Sequence, residues 1–264
     1  MNFNVHLINM KLGEWIDSNL LFFSKKELDY LIKGLCDVHF IDLTLELKPQ
    51  ALICLNTCLN RRKTGEPLSK ILQIKPFWKY FFKTNSFTLD PRPETEFLLE
   101  KVNVKTRSVL ELGVGTGCII LSILKDFKKA KGTGVDISLE ALKIAEENAN
   151  LLSVQNKVKL IQNDWANNIK GDFDLVIANP PYVSKEFSLS LETLNDPEIA
   201  LFGDIQTYKN LLNSLKDIRF KQLLLEVPDY LTAETEDFII SLYKTNVSIY
   251  SIYDSGINCL EVLL

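Results

Sequence analysis

The chain has 264 residues, of which 46% are hydrophobic and 24% are charged, and this is the composition of an ordinary globular protein. The formal net charge is −4, with +3 on residues 1–90 and −7 on the remainder, which argues against a surface that grips free duplex nucleic acid. The length allows one large domain or two smaller ones.

Cysteine usage and the amino-terminal sequence give no sign of secretion. The five cysteines are scattered and odd in number, so they do not form a disulfide framework. Cys54 and Cys58 are four residues apart, but no further Cys or His lies near them to complete a zinc site, and we predict no metal. Residues 1–15 lack the basic and apolar regions of a signal peptide, and no apolar run reaches about 18 residues. We therefore expect a cytoplasmic protein without a membrane span.

The amino-terminal part of the chain has the pattern of a small helical domain. Ser24 and Glu27 form a capping box that is followed by leucines and isoleucines at helical spacing. The stretch after it, up to residue 93, is rich in proline and aromatic residues, which favours short strands and forbids a long helix. We predict a helical domain over residues 1–75, a linker with a β-hairpin over 76–93 and a second domain over 94–264.

Seven apolar stretches alternate with helical segments from residue 107 onward. They predict strands over residues 107–112, 132–137, 157–162, 173–178, 220–227, 247–253 and 257–263. Buried strands that alternate with helices form a parallel sheet covered on both faces. Only three residues separate the last two strands, which must therefore form an antiparallel hairpin. This α/β pattern is typical of the Rossmann-like class I methyltransferase fold rather than of a dehydrogenase.

Three features after the first three strands predict an adenosine-type ligand. The glycine-rich turn Gly113-Val114-Gly115-Thr116-Gly117 lets the backbone approach a ligand and opens a helix with free N–H groups. Asp136 ends the next strand, where a carboxylate can accept both hydroxyls of a ribose. Asp164 could accept from an adenine amine, and Trp165 could stack on its ring. Each feature also has a purely structural interpretation, as a tight turn, a helix-start aspartate or a core tryptophan.

The most specific pattern is Asn179-Pro180-Pro181-Tyr182, which follows the fourth predicted strand. The prolines fix the backbone where the chain leaves the carboxyl edge of the sheet, and ligands collect at that edge. The Asn179 side-chain oxygen and the Pro180 carbonyl can accept the two N–H bonds of a planar –NH2 group, on which Tyr182 can stack. Such a site has to hold the nitrogen in line with a methyl carbon and needs no strong base. We therefore predict a rate that varies little between about pH 6 and 9.

These motifs, in this order, resemble those of the protein-(glutamine-N5) methyltransferases that modify peptide chain release factors, the PrmC/HemK family. The likeness extends to residues 61–68, 71–78, 89–96 and 196–201, and so over nearly the whole chain. It implies a helical domain that grips the release factor and a second domain that binds S-adenosylmethionine (SAM). It also implies methylation of the side-chain amide of the glutamine in the Gly-Gly-Gln loop of release factors. Separately, we expect no direct nucleic-acid contact and a monomer, although the sequence leaves the oligomeric state open.

The resemblance also implies roles for individual residues. Residues 113–117 would cradle the methionine part of SAM, Asp136 would hold the ribose, Trp165 would lie against the adenine, and residues 179–182 would hold the substrate amide. The chain departs from the family after Leu201, where Phe202 replaces the first of two glycines, and after Glu226. Both departures fall outside the matched catalytic motif, and residues 92–96 have no role that we could derive from the sequence.

Two other functions remain open at this stage. A DNA adenine-N6 methyltransferase would hold an adenine amine with the same Asn-Pro-Pro-Tyr motif, but it has to grip phosphates and flip its base. The chain shows no basic cluster beyond residues 61–63 for that task. A non-catalytic SAM-binding module would not need the amide clamp at residues 179–182. Dinucleotide binding is disfavoured because the glycines are spaced G-x-G-x-G.

Overall fold

The computed structural model describes residues 10–36, 40–252 and 254–264. The chain divides into two compact units, Met1–Gln73 and Ile74–Leu264. No helix within the described ranges is long and apolar enough to cross a membrane. The predicted boundaries of the two domains and of the linker stay predictions.

The first unit is helical. Its helices are α1 (Leu12–Asn19), α2 (Lys25–Cys36), α3 (Pro49–Lys63) and α4 (Leu68–Leu72). The predicted capping box is confirmed at the start of α2, where the N–H of Glu27 donates to Ser24 Oγ at 3.2 Å and the N–H of Ser24 donates to Glu27 Oε2 at 3.0 Å. Trp15, Leu28 and Leu31 are fully buried and form the centre of a separate hydrophobic core.

The second unit begins with the hairpin formed by β1 (Ile74–Phe77) and β2 (Tyr80–Lys83), which pair antiparallel. Phe77 and Phe82 are buried in the core of this unit and meet edge to face, with ring centroids 6.0 Å apart. The aromatic residues that predicted short strands here are thus the residues that attach the hairpin to the larger fold. A short helix, α5 (Glu96–Glu100), precedes the main sheet.

All seven predicted strands of the main sheet are present. They are β3 (Ser108–Leu112), β4 (Lys131–Asp136), β5 (Val158–Gln162), β6 (Asp172–Ala178), β7 (Arg219–Pro228), β8 (Val247–Ser251) and β9 (Ile257–Leu263). Their order across the sheet is β5-β4-β3-β6-β7-β9-β8. β9 runs antiparallel to both of its neighbours, and the other pairs are parallel. The C-terminal antiparallel hairpin is therefore confirmed, with its second strand inserted next to β7.

Helices cover both faces of this sheet. They are α6 (Cys118–Asp126), α7 (Leu139–Leu151), α8 (Glu198–Leu201), α9 (Ile205–Ser214) and α10 (Asp229–Tyr243). Two hydrophobic clusters lie on opposite sides of the strands, because successive strand residues such as Val109 and Leu110 belong to different clusters. β3 and β6 are neighbours in the sheet. After β3 the chain continues to β4, towards one edge of the sheet, and after β6 it continues to β7, towards the opposite edge. The carboxyl ends of β3 and β6 therefore border a crevice of the kind in which open α/β sheets bind ligands.

Candidate active site

The glycine-rich turn after β3 is open towards a cavity. Gly113 and Gly115 have φ angles of 74° and 51°, a region that side chains with a Cβ rarely adopt. The N–H groups of Gly113 and Val114 donate to the carbonyl of Val135 at 2.8 and 2.9 Å, which fixes the turn against β4. A Cβ at Gly115 would meet no atom within 4 Å among the described residues, so a ligand has room to approach the backbone there.

Asp136 is positioned at the end of β4 by backbone donors. Its Oδ2 accepts from the N–H of Gly115 at 2.8 Å, and its Oδ1 accepts from the N–H of Ser138 at 2.9 Å. Burial raises the pKa of this carboxyl above its usual value, and the backbone hydrogen bonds oppose that shift. Ser138 in turn caps α7, since its Oγ accepts from the N–H of Ala141 at 3.2 Å.

The first cavity has a volume of about 290 Å³ and brings together most of the predicted cofactor residues. Those that line it are Gly113, Gly115, Asp136, Asp164, Trp165 and Asn179, and Pro181 of the predicted substrate site lines it too. Phe87, Leu89 and Phe202 complete parts of its wall, and sequence reasoning assigned none of them to the site. Trp165 has a φ of 47°, and its ring lies 3.8 Å from the position that a Cβ of Gly113 would occupy.

Three predicted cofactor residues do not line this cavity. Val114 and Thr116 are each only 2% exposed, because their side chains point into the core beneath the turn. Gly117 begins α6 with a φ of 77°, and a Cβ there would lie 2.8 Å from Leu121 Cδ1. The structure thus gives these three positions a role in shaping the turn, and their contact with a cofactor stays a prediction.

A second cavity, of about 340 Å³, adjoins the first. Pro180 and Tyr182 line it together with Arg92 and Glu94, and Asn179 lines both cavities. The predicted Asn-Pro-Pro-Tyr motif is therefore shared between two compartments. Residues 92–96, which had no role in the sequence analysis, reach the wall of the second one.

Only the nitrogen of the Asn179 side-chain amide has a hydrogen-bond partner among the described residues. Its Nδ2 donates to the hydroxyl of Thr95 at 3.0 Å. Its Oδ1 is buried, and no described residue donates a hydrogen bond to it. A buried acceptor without a donor is unfavourable by about 1–3 kcal/mol, so this oxygen is suited to a ligand that brings an N–H group.

Glu226 is the main functional candidate that the sequence analysis missed, having placed it outside the catalytic motif. It lies at the end of β7, is only 1% exposed, and its Oε1 accepts from the hydroxyl of Tyr182 at 3.5 Å. Burial raises the pKa of Glu226 to about 7, although the hydrogen bond from Tyr182 acts in the opposite direction, and Oε2 of Glu226 has no hydrogen-bond partner among the described residues. A charged residue that directly follows the apolar run of β7 was the available signal.

Arg92 joins the segment before α5 to the segment before α8. Its Nη2 lies 2.6 Å from Oδ2 of Asp196, whose side chain is 2% exposed. Asp196 Oδ1 also accepts from the backbone N–H of Asp90 at 3.1 Å. Since Arg92 also lines the second cavity, this ion pair sets the shape of its rim.

Gly203 holds the backbone of the Asn-Pro-Pro-Tyr motif in place. The N–H of Val183 donates to the carbonyl of Leu201 at 2.8 Å, and the N–H of Gly203 donates to the carbonyl of Val183 at 3.2 Å. A Cβ at Gly203 would lie 2.0 Å from the carbonyl oxygen of Pro181. The PrmC/HemK family, which the sequence resembles, usually has glycine at positions 202 and 203. This chain has Phe202 at the first position and retains Gly203, where the close approach of Pro181 leaves no room for a Cβ.

Comparison with known proteins identifies relatives for this unit. Residues 89–194 match the model of the methyltransferase small domain. The release factor glutamine methyltransferase of Caulobacter vibrioides is 40% identical over 167 residues, which cover 60% of this chain and 58% of that protein. The matched part of the chain is thus similar in sequence to a protein named release factor glutamine methyltransferase. The protein of the same name from Buchnera aphidicola is 37% identical, over 62% of this chain and 60% of that protein.

A bifunctional methyltransferase of Rickettsia bellii is 32% identical over 60% of this chain and 35% of its own length. The chain thus matches less than two thirds of the length of these curated relatives. Among solved structures, the hMettl16 catalytic domain in complex with hairpin 6 of the MAT2A 3′UTR has a TM-score of 0.56 at 12% identity, covering 89% of this chain and 91% of that one. The T. thermophilus 16S rRNA N2 G1207 methyltransferase has a TM-score of 0.51 at 16% identity, covering 72% and 49%. The fold is that of the class I methyltransferases.

Proposed function

We propose that this protein transfers a methyl group from SAM to the side-chain amide nitrogen of the glutamine in the Gly-Gly-Gln loop of peptide chain release factors. The proposal rests on the buried Oδ1 of Asn179, which no described residue supplies with a donor and which belongs to a side chain shared by two cavities. A primary amide brings the N–H donors that this oxygen needs. The relatives with the highest identity reported above carry the corresponding name.

The first cavity fits SAM by its own chemistry. Gly115 leaves space against the backbone, and the Asp136 carboxylate lies on the cavity wall, where it can accept the hydroxyls of a ribose. Asp164 and Trp165 line the same cavity, and we expect them to contact the adenine. Bound SAM would supply an electrophilic methyl group on a sulfonium sulfur. We do not expect a metal to take part, since the proposed reaction needs no metal-bound nucleophile.

The second cavity would receive the glutamine side chain. Asn179 Oδ1 and the carbonyl of Pro180 would accept the two N–H bonds of the amide, and Tyr182 would stack on its plane. This holds the nitrogen in line with the methyl carbon, which contributes much of the rate when the nucleophile is weak. The amide nitrogen would form the new N–C bond as the S–CH3 bond breaks and its electron pair stays on sulfur, which leaves S-adenosylhomocysteine as product; one amide proton would then leave to water.

A methyl-transfer assay with labelled SAM tests this function. We expect label on a purified release factor and none on the same protein with the loop glutamine changed to alanine. Adenine-containing duplex DNA is the third substrate offered. Label on DNA alone would establish the adenine-N6 reaction instead, and SAM binding without any transfer would indicate a non-catalytic module.

A further inference from the structure

The segment that follows β2, residues 84–92, forms a wall that the two cavities share. Phe87 and Thr88 line the first cavity, and Arg92 lines the second. Leu89 lines both of them. All residues of this wall segment are described, and they belong to no helix or strand. Hydrogen bonds other than those of regular secondary structure therefore have to hold its shape.

Asn148, on α7, fastens the start of the wall segment to the glycine turn. Its Oδ1 accepts from the N–H of Lys83, the last residue of β2, at 2.7 Å, and its Nδ2 donates to the carbonyl of Lys83 at 3.0 Å. The same Nδ2 donates to the carbonyl of Thr116, within the glycine turn, at 2.9 Å. Asn148 is fully buried and lines neither cavity. One side-chain amide thus holds the wall segment and the turn side by side.

Further hydrogen bonds close the wall segment on itself and fix its end. The hydroxyl of Thr84 donates to Oδ1 of Asp90 at 2.7 Å, and both side chains are buried. The backbone N–H of Asp90 donates to Oδ1 of Asp196 at 3.1 Å, and the other oxygen of that carboxylate pairs with Arg92. A buried network of this kind makes the segment that it holds rigid. Leu89 directly precedes Asp90, so its place between the two cavities depends on these bonds.

We propose that Asn148 and Thr84 are positioning residues that keep the wall segment in the one arrangement that serves SAM and the acceptor together. Neither residue lines a cavity, and both act through Leu89 and its neighbours, which do. Binding groups are held in a productive place when the residues behind them are fixed by their own hydrogen bonds. This inference rests on the proposed function for the identity of the two ligands. It adds that the two binding sites have a common support.

A purely structural role for these two residues predicts a different result. A side chain that only stabilises the fold changes the melting temperature, and the folded protein keeps its affinities. A side chain that places the shared wall changes the affinities of the folded protein for both ligands. Residues of a single cavity behave differently again, since Asp136 lines only the first cavity and Arg92 only the second. Their variants should each weaken mainly one ligand.

The decisive experiment compares Thr84→Val, which keeps the shape of the side chain without the hydroxyl, with Thr84→Ser, which keeps the hydroxyl. In Thr84→Val we expect the Kd for SAM, from calorimetry, and the KM for the release factor each to rise about 3- to 10-fold, as for one lost hydrogen bond. The kcat at saturation should change less, and Thr84→Ser should restore both constants. Asn148→Asp should act like Thr84→Val, because a carboxyl group lacks the two N–H donors. Thr235→Val is the matched control, at a buried hydroxyl on α10 that lines neither cavity, and it should change neither constant.

Amide hydrogen exchange gives a second readout that needs no methyl transfer. In Thr84→Val and Asn148→Asp we expect the N–H groups of the wall segment to exchange faster than in the wild type, whereas those of β3 and β6 keep their rates. Wild-type affinities in a folded Thr84→Val protein, or a change for one ligand only, would overturn the proposal.

Failure of the proposed function would look different. A wild type that binds SAM without labelling the release factor would contradict that function, and the Kd for SAM together with the exchange of the wall segment would then decide this inference. Thermal melting of each variant identifies any that has lost the fold. If Asn148→Asp does not fold, the Thr84 pair still decides the outcome.

Discussion

The backbone N–H of Gly115 donates to Oδ2 of Asp136 at 2.8 Å, so one carboxylate joins the turn after β3 to the end of β4. The same side chain lines the first cavity. Asp136 therefore has two tasks, since it shapes the glycine turn and offers its remaining lone pairs to a ligand.

Replacing Asp136 with alanine should weaken SAM binding by about 1–3 kcal/mol, because a charged hydrogen-bond acceptor and the support of Gly115 are lost together. Isothermal calorimetry measures this directly. Asp172→Ala is the control, because that aspartate is exposed and pairs with Arg219 on the surface. Equal affinities for the wild type and Asp136→Ala would exclude the role in ribose binding.

Asn179→Ala should reduce methyl transfer by about 100-fold or more, since removal of one preorganised polar group from an active site has an effect of this size. The affinity for SAM should change only a few-fold, because Asp136 and the glycine turn remain. Initial rates with a release factor, together with calorimetry, separate the two quantities. Asn150→Ala, at an exposed position on α7, serves as the control, and an active Asn179→Ala enzyme would refute the clamp.

Gly203→Ala should destabilise the protein by about 1–3 kcal/mol, as expected when atoms are forced into a packed site. The cause is the contact between the new Cβ and the carbonyl of Pro181. Gly115→Ala makes the informative comparison, because its Cβ would enter open space. That variant should lose SAM affinity, with only about 1 kcal/mol of stability lost to its positive φ. Urea unfolding measures both, and a Gly203→Ala protein as stable as the wild type would show that this backbone can shift.

Arg92→Ala should raise the KM for the release factor more than it lowers kcat, because the rim of the second cavity loses its ion pair with Asp196. It should also reduce stability by about 1–3 kcal/mol, since the buried Asp196 carboxylate loses its charged hydrogen bond to Arg92. Arg92→Lys retains the charge and should show a smaller effect. An unchanged KM in Arg92→Ala would contradict this interpretation.

The parts of the fold that could be predicted are those whose signal is local. An apolar stretch such as residues 173–178 reveals a buried strand by itself, and the three-residue separation before β9 requires an antiparallel turn. The insertion of β9 between β7 and β8 was not foreseen, because nothing within these segments says which strand β9 joins on its other side.

In the candidate site, too, the residues that could be predicted are those with a local sequence signal. Asp136 is the last residue of β4 and Asn179 directly follows β6, so sequence position alone placed them at the carboxyl edge of the sheet. The pairing of Arg92 with Asp196 joins segments far apart in the chain, and it depends on how two loops fold over that edge. Glu226 was set aside because its meaning comes from its neighbours Thr95 and Tyr182. The rate that varies little with pH stays a prediction, and Glu226, whose pKa burial raises to about 7, is the group that sequence reasoning did not consider for it.

The position of β9 also governs the order in which this protein can take shape during translation. β7, which carries Glu226, receives its second neighbour only when residues 257–263 have left the ribosome, because Glu226 pairs in register with Cys259. Until then the far side of β7 is an open strand edge, which is prone to pair with other chains. The surroundings that keep the carboxyl of Glu226 away from water are thus completed only after β9 has been made. The glycine turn between β3 and α6 can therefore form before the environment of Glu226 is complete.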